Sequence, residues 1–290
     1  MSQRCRARIT EQFLSEQENL VMLGTAFRLA VCFFVMTPSA IAQTTTEGLR
    51  KMAQNPFAYV IKVPIEEDIY FGAGPFSRNA SSLQIQPIFP FRISQGWLLV
   101  SRIVATGVAY QPDAGQKRGG TVGLGDICPA FYFTRTGEKK TVLGIGPSLS
   151  MPTATSTALG SGRWALGPSL VVLTQPHWGS LGILVQNIWS FAGDSHRAPV
   201  KQMSLQYVFS YNLPRGWYLT TQPTISADWT QARPDRWVVP FGGGAGRTFT
   251  LGKQAVDANA VFYGNAIRPE NQASPKWQLS LSVTLLFPKR

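Results

Sequence analysis

Residues 276–290 read KWQLSLSVTLLFPKR. Taken in twos, Trp277, Leu279, Leu281, Val283, Leu285 and Phe287 fall on one side, and Gln278, Ser280, Ser282 and Thr284 on the other. Successive side chains of a strand point to opposite faces. The stretch therefore predicts a strand with one apolar face, one polar face and an aromatic near each end. Alternation alone would also suit a soluble sandwich. The end-placed aromatics are what separate the two: a soluble core gathers large rings mid-strand, whereas a membrane barrel sets them at its two interfaces.

The pattern recurs upstream. In LQIQPIFPFRI, Leu83, Ile85, Phe89, Phe91 and Ile93 oppose Gln84, Gln86 and Arg92. In MSLQYVFSYNL, Met203, Leu205, Tyr207, Phe209, Tyr211 and Leu213 oppose Ser204, Gln206, Ser210 and Asn212. In WYLTTQPTISADW, Trp217, Leu219, Ile225 and Trp229 oppose Tyr218, Thr220, Gln222, Thr224, Ser226 and Asp228. Three late segments carry apolar-face aromatics at both ends: Trp217 with Trp229, Trp237 with Phe249, and Trp277 with Phe287. These pairs are roughly 10–12 residues apart, which for a tilted strand spans about 25–30 Å, the height of a membrane barrel's apolar band between its aromatic girdles.

Connectors alternate in length. Tight links fall at 94–96, 135–140, 176–179, 214–216 and 251–253, with longer polar ones near residues 115, 159, 195, 234 and 271 between them. Outer-membrane barrels show this alternation, with short periplasmic turns and longer external loops. Strand-like segments lie near 83–93, 97–110, 123–134, 141–152, 163–174, 180–192, 202–213, 217–229, 237–250, 254–265 and 276–287. That makes eleven, and single-chain bacterial barrels are normally even. The missing strand should precede Leu83. FAYVIKVPIEEDIYFG (57–72) supplies it imperfectly, because Glu66, Glu67 and Asp68 interrupt the pattern. It reads as a broken first strand or as a piece lying in the lumen. The expected fold is all-β: a single antiparallel up-and-down transmembrane barrel of about twelve strands, with ten as the rival count.

Composition fits this reading. The chain has 290 residues, 44% hydrophobic and only 14% charged, against about a quarter charged in ordinary soluble domains. At 22–42, MLGTAFRLAVCFFVMTPSAIA holds Arg28, an apolar run from Leu29 to Met36, Pro38 and an Ala-Ile-Ala triplet. That is the layout of a cleavable secretory signal peptide; the apolar run is well short of the roughly 20 residues a membrane helix needs. Residues 1–42 are accordingly expected to be leader, with Met22 the functional start, and 43–290 the barrel. Cys5 and Cys32 fall in that leader, leaving Cys128 alone, so neither a disulfide framework nor a cysteine-pair metal site is expected in the mature chain.

The order of several motifs carries a resemblance. NPFAYVIKVP, LQIQPIFPF, GLGDI (123–127), LGIGPSLSMPTAT (143–155), LGSGRWALGPS (159–169), NIWSFAGD (187–194) and the closing VTLLFPK resemble the bacterial transporter-like outer-membrane proteins associated with phenol meta-cleavage pathways, sometimes mislabelled neuromedin U. The resemblance covers most of the mature chain. It implies a Gram-negative outer-membrane barrel with a transport role. Such barrels often end in an aromatic that the barrel-assembly machinery reads; here Phe287 is followed by Pro288, Lys289 and Arg290, a short tail shared with the family resembled.

Enzymatic readings fare poorly. In GDSHR (193–197), Ser195 and His196 are neighbours, and adjacent side chains on extended chain diverge, so they make no nucleophile–base pair. GLGD lacks the lysine and following helix of a phosphate loop. No catalytic residue, metal ligand or cofactor is expected. The polar rows offer candidate lumen-lining residues instead: Gln84, Gln86, Arg92, Arg102, Asp126, Gln206, Gln222, Asp228 and Gln278. The candidate girdle aromatics are Trp217, Trp229, Trp237, Phe249, Trp277 and Phe287.

The net charge of +12 finds an address in the external loops, where Arg78, Lys117, Arg118, Arg163, Arg197, Lys201, Arg233, Arg236, Arg268 and Lys276 outnumber Asp113, Asp194, Asp235 and Glu270. A cationic rim suits lipopolysaccharide phosphates or anionic solutes; nucleic acid is not an expected partner of dispersed charge on an exported chain. The functional expectation is a passive channel for small, aromatic or anionic solutes. The alternatives are a non-conducting structural or surface-binding barrel, and a soluble periplasmic β-barrel binder.

Overall fold

The computed structural model describes residues 45–113, 115–136, 140–269 and 274–288; the leader expected at 1–42 lies outside them. A short helix, α1 (Thr46–Gln54), precedes fifteen strand segments. They are β1 (Val60–Ala73), β2 (Arg78–Ile85), β3 (Ile88–Ser94), β4 (Trp97–Pro112), β5 (Gly120–Gly123), β6 (Ile127–Arg135), β7 (Thr141–Ser150), β8 (Arg163–Thr174), β9 (Gly179–Gly193), β10 (Lys201–Asn212), β11 (Trp217–Thr221), β12 (Thr224–Asp228), β13 (Trp237–Leu251), β14 (Gln254–Ile267) and β15 (Trp277–Pro288).

Three pairs of segments are single staves interrupted by a kink: β2 with β3, β5 with β6, and β11 with β12. The staves therefore number twelve, each antiparallel to the next. The ring closes where β1 meets β15, in unbroken register from Val60 opposite Pro288 to Phe71 opposite Trp277. Closure removes the sheet edges that would otherwise be open to other chains. The fold expected from the sequence is thus observed. The expected twelfth strand is β1, whole rather than broken, and the acidic run sits inside it.

The outward row is greasy. Phe91, Ile93, Leu143, Ile145, Phe191 and Phe241 stand 50–66% exposed on the barrel surface. The inward row is covered and mixed: Asp68, Gln86, Ser148, Ser169, Ser210, Thr248, Asp257 and Ser282 are all buried, and toward the turn end of the strands Ile88, Leu98, Val100, Ala130, Tyr132 and Val171 form an apolar cluster. An outward row this greasy is the reverse of a water-soluble globule, which hides most of its large apolar side chains.

The tight connections at 95–96, 175–178, 213–216 and 252–253 all lie at one end, the turn end, together with Val60, Arg135, Thr141 and Pro288. The longer connections gather at the other, the loop end. Prolines thin the wall locally because they donate no ladder hydrogen bond. Between β6 and β7, near Pro129 and Pro147, partners are confined to Ala130–Ser148, Phe133–Ile145 and Thr134–Gly144. The break in the β11–β12 stave at Pro223 leaves β13 partnered by Trp217–Thr220 below it and by Ser226–Ala227 above it.

Helix α1 is built conventionally. The Thr45 hydroxyl caps it by accepting from the Gly48 N–H at 3.2 Å, and Asn55 ends it while its side chain accepts from Phe57 N–H at 2.9 Å. The helix packs on β13, β14 and the 3-10 turn Pro214–Gly216. Leu49 is buried with Val60, Ala255 and Leu286.

Candidate functional site

The segment leading into β1 lies inside the turn end of the barrel. Arg50 donates to the carbonyls of Leu213 at 2.7 Å and Trp217 at 3.2 Å. Gln54 donates to Asn212 at 3.1 Å and accepts from Ser180 at 2.8 Å. Gln175 reaches the Lys51 carbonyl at 3.1 Å. The Lys62 ammonium, on the inward row of β1, donates to the carbonyls of Ala53 (3.0 Å) and Asn55. Beyond the helix, Phe57 drops into a cluster with Ile88, Leu98, Val100, Ala130, Tyr132 and Val171, edge-on to Tyr132 at 5.9 Å. Those partners come from β3, β4, β6 and β8, while the helix is held by the other side of the ring. The segment thus crosses the interior from wall to wall. Gly144 makes room for it: a methyl group there would meet the Phe57 ring at 2.3 Å.

Above this crossing lies a polar interior. Arg102 donates to Gln86 at 2.6 Å, Gln86 to Gln84 at 3.2 Å and Gln84 to Ser82 at 3.4 Å. Asp68 accepts from Gln278 at 2.9 Å and from Tyr70 at 3.4 Å. Nearer the helix, Asp257 accepts from Tyr218 at 2.7 Å and Thr248 at 2.5 Å. Beside Arg102 is a cavity of about 60 Å³, lined by Cys128, Ser148, Ser150 and Gln186 among others. Its wall is mixed, with Val104, Leu149 and Ile188 beside the polar groups; it is large enough to hold water, and it sits where the β6–β7 ladder is thin.

Of the nine residues picked out as lumen-lining, Gln84, Gln86, Arg102 and Gln278 are joined in these interior networks. Gln206 donates to the Gln222 backbone carbonyl at 3.1 Å, bridging the broken stave, and the Gln222 N–H donates to Tyr263. Arg92 lies at the turn end with its guanidinium over Tyr59, 5.2 Å from the ring centre. Asp126 and Asp228 do different work. Asp126 accepts from Ala154 N–H (3.1 Å), Ser161 N–H (2.7 Å) and the Ser161 hydroxyl (3.0 Å), which pins the loop between β7 and β8. Asp228 accepts from Thr230 N–H at 2.9 Å and its hydroxyl at 2.6 Å, capping the turn after β12. The interior residues that sequence reasoning missed are Lys62, Glu66, Asp68, Ser148, Gln186 and Asp257. Parity along β1 held the signal for the first three, once the acidic run is read as strand.

The six aromatics form two levels. Trp229, Trp237 and Trp277 lie toward the loop end, and Trp217, Phe249 and Phe287 toward the turn end. Trp217 and Trp277 are about half exposed. Trp229 meets Trp237 edge-on at 5.7 Å, and Trp277 stacks on Phe262 at 5.6 Å.

Much of the loop-end charge is already engaged. Arg197 donates to the carbonyls of Thr157, Gly160 and Ser161, and Arg163 to those of Ser195 and Arg197. The GDSHR stretch is part of this clasp. There His196 faces Asp194, not Ser195: its backbone N–H donates to the carboxylate at 2.9 Å and its Nδ1 lies 3.1 Å away. The backbone hydrogen bond, then the ring contact, holds the Asp194 carboxyl below the usual carboxylate range.

With the geometry in place, the chain can be set beside known proteins. No family model matches it, and no curated protein matches it in sequence. Among solved structures it is similar to an outer-membrane channel from Pseudomonas putida F1. That likeness has a TM-score of 0.62 at 16% identity and covers 80% of this chain and 99% of the other. The Pseudomonas putida toluene transporter TodX aligns at a TM-score of 0.43 and 9% identity over 82% of this chain and 93% of the other. The first likeness shows a shared fold, that of an outer-membrane barrel.

Proposed function

We propose that this chain is an outer-membrane channel for small solutes. The observation that carries the reading is a closed ring of twelve staves, greasy without, with polar networks within above an apolar cluster at the turn end, which suits hydrocarbon outside and a solute path inside. The shared fold of the Pseudomonas putida F1 outer-membrane channel supports the same reading. In this proposal Gln84, Gln86, Arg102 and Gln278 line the path, and the two aromatic levels sit at the membrane interfaces. The loop-end cations face lipopolysaccharide, the assembly machinery inserts the barrel, and residues 1–42 direct export. The sequence motifs favour the transporter-like family associated with phenol meta-cleavage pathways, and hence small aromatic or anionic solutes.

The crossing segment defines the resting state. With Phe57 and α1 seated, the turn end is narrowed, so the channel is a tight one that opens further when the segment shifts. Planar-bilayer recording tests this: small, step-like currents are expected from the full chain. A barrel that inserts fully yet stays silent with Phe57 replaced by Ala would overturn the channel reading in favour of a non-conducting barrel. Extraction without detergent would point to the soluble binder instead.

A further inference from the structure

Among the described residues, four arginines stack on aromatic rings, and two of these pairs differ from the rest. Arg92 lies on the inward row over Tyr59. Arg236, over Trp229, is half-buried and donates to the Gln231 carbonyl at 3.2 Å. The remaining pairs are Arg135 over Trp97 and Arg247 over Trp217, each with its guanidinium carbon 5.4 Å from the indole centre. In both, the two residues are direct partners in the ladder: Trp97 opposite Arg135 and Trp217 opposite Arg247. All four side chains are exposed and stand on the outward row. Neither guanidinium has a hydrogen bond or ion pair with any described residue.

Their position is equally specific. Trp97 opens β4 just after the turn at 95–96, and Trp217 opens β11 just after Pro214–Gly216. Both pairs therefore lie at the turn end, at one level of the barrel. Counted around the ring, they occupy the third and fourth staves and the ninth and tenth, on opposite sides. An arginine stays charged at any accessible pH, and on the outer face of a membrane barrel it needs a counter-anion. The indole covers one flat face of each guanidinium, which leaves the in-plane N–H groups free. Those groups match two oxygens of a phosphate.

We propose that Arg135–Trp97 and Arg247–Trp217 are two phospholipid headgroup sites, each taking the phosphodiester of one glycerophospholipid from the leaflet at the turn end. This rests on the membrane-barrel reading above. The leaflet is fixed by topology: short turns face the periplasm in such barrels, so the partner is a phospholipid of the inner leaflet and not lipopolysaccharide. Exposed Lys140, Arg215 and Lys253 near the same level favour anionic headgroups. Two lipids gripped on opposite sides would fix the depth and tilt of the barrel.

The test is lipid retention in native mass spectrometry of the detergent-solubilised protein titrated with phosphatidylglycerol. The full chain is expected to keep two lipids, Arg135→Gln and Arg247→Gln one each, and the double variant none above background. Arg236→Gln should behave as the parent. Millimolar inorganic phosphate should not displace the lipid. Equal retention by the parent and the folded double variant overturns the proposal, as does displacement by phosphate, which would mark a free-anion site. Heat-shifted gel mobility reports folding. Should a Gln variant not fold, Trp97→Leu and Trp217→Leu decide: weaker retention is expected, and unchanged retention in both overturns the paired site. Failure of the membrane reading would look different, as protein that stays soluble without detergent.

Discussion

At the scale of single residues, the loop end depends on one carboxylate. Asp126 takes three donors from residues 154 and 161, and hydrogen bonds to a charged group contribute about 1.5–3 kcal/mol. Asp126→Asn should free the loop between β7 and β8, read as faster proteolysis within residues 151–162 and little change in the gel mobility of the barrel. The sequence placed Asp126 in the lumen from parity alone; its loop partners lie some thirty positions away, and no local pattern encodes them. Glu67 is the opposite case. It is on the outward row of β1 between Leu83 and Leu281, and its Oε1 is buried without a hydrogen-bond partner. A carboxyl group is unfavourable on the membrane-facing wall, most of all near mid-depth. Glu67→Leu should therefore stabilise the barrel by roughly 1–2 kcal/mol, seen as a higher temperature for loss of the compact gel band; a lower one would mean the residue is paired or faces water.

At the scale of elements, most strands were legible because alternation is a local property. Residues 277–285 show it without interruption, and β15 runs from Trp277 to Pro288, with Leu286 an apolar residue on its inward row, buried against Leu49. Strand β1 was harder. Pro64 and the acidic run break the apolar rhythm, and only pairing on both sides, with β15 and with β2, reveals it as continuous. The kinks in three staves left no clear mark beyond Pro87, Gly125 and Pro223. Helix α1 was illegible for another reason: it is short and polar, and its hold on the barrel comes from side chains bonding carbonyls more than 150 residues away. Its seating makes a direct prediction. Lys62→Met removes the ammonium that ties β1 to the carbonyls of Ala53 and Asn55, and Gly144→Leu fills the space Phe57 occupies. Each should unseat the segment and raise single-channel conductance severalfold, with the compact gel band retained. Unchanged conductance in both would place the narrowing elsewhere.

At the scale of the whole molecule, the organising fact is where polarity lies. Among the described residues the buried positions include lysine, aspartate and eleven serines and threonines, while many rings and aliphatics stand on the outside. The positive charge is distributed at both ends, not only at the loops: Arg135, Arg215, Arg247 and Lys253 mark the turn end. The loop-end set is partly consumed in holding the loops together. Selectivity should accordingly follow the interior. Arg102 bonded to Gln86 is the cation nearest the cavity beside Cys128, and Arg102→Gln should lower the anion-to-cation permeability ratio by about two- to fivefold, the scale of one charge in a narrow low-dielectric passage. Reversal potentials in a salt gradient measure this; an unchanged ratio would remove Arg102 from the path.

The short link between α1 and β1 carries a mechanical consequence. Only residues 55–59 separate the helix from a strand stapled into the ring on both edges, and five extended residues reach at most about 18 Å. The stopper is therefore leashed like a bath plug on a very short chain. It can tip or swivel about Val60, but it has no slack with which to drift clear of the mouth, so any wider aperture must arise by rotation in place and must reseat without a search.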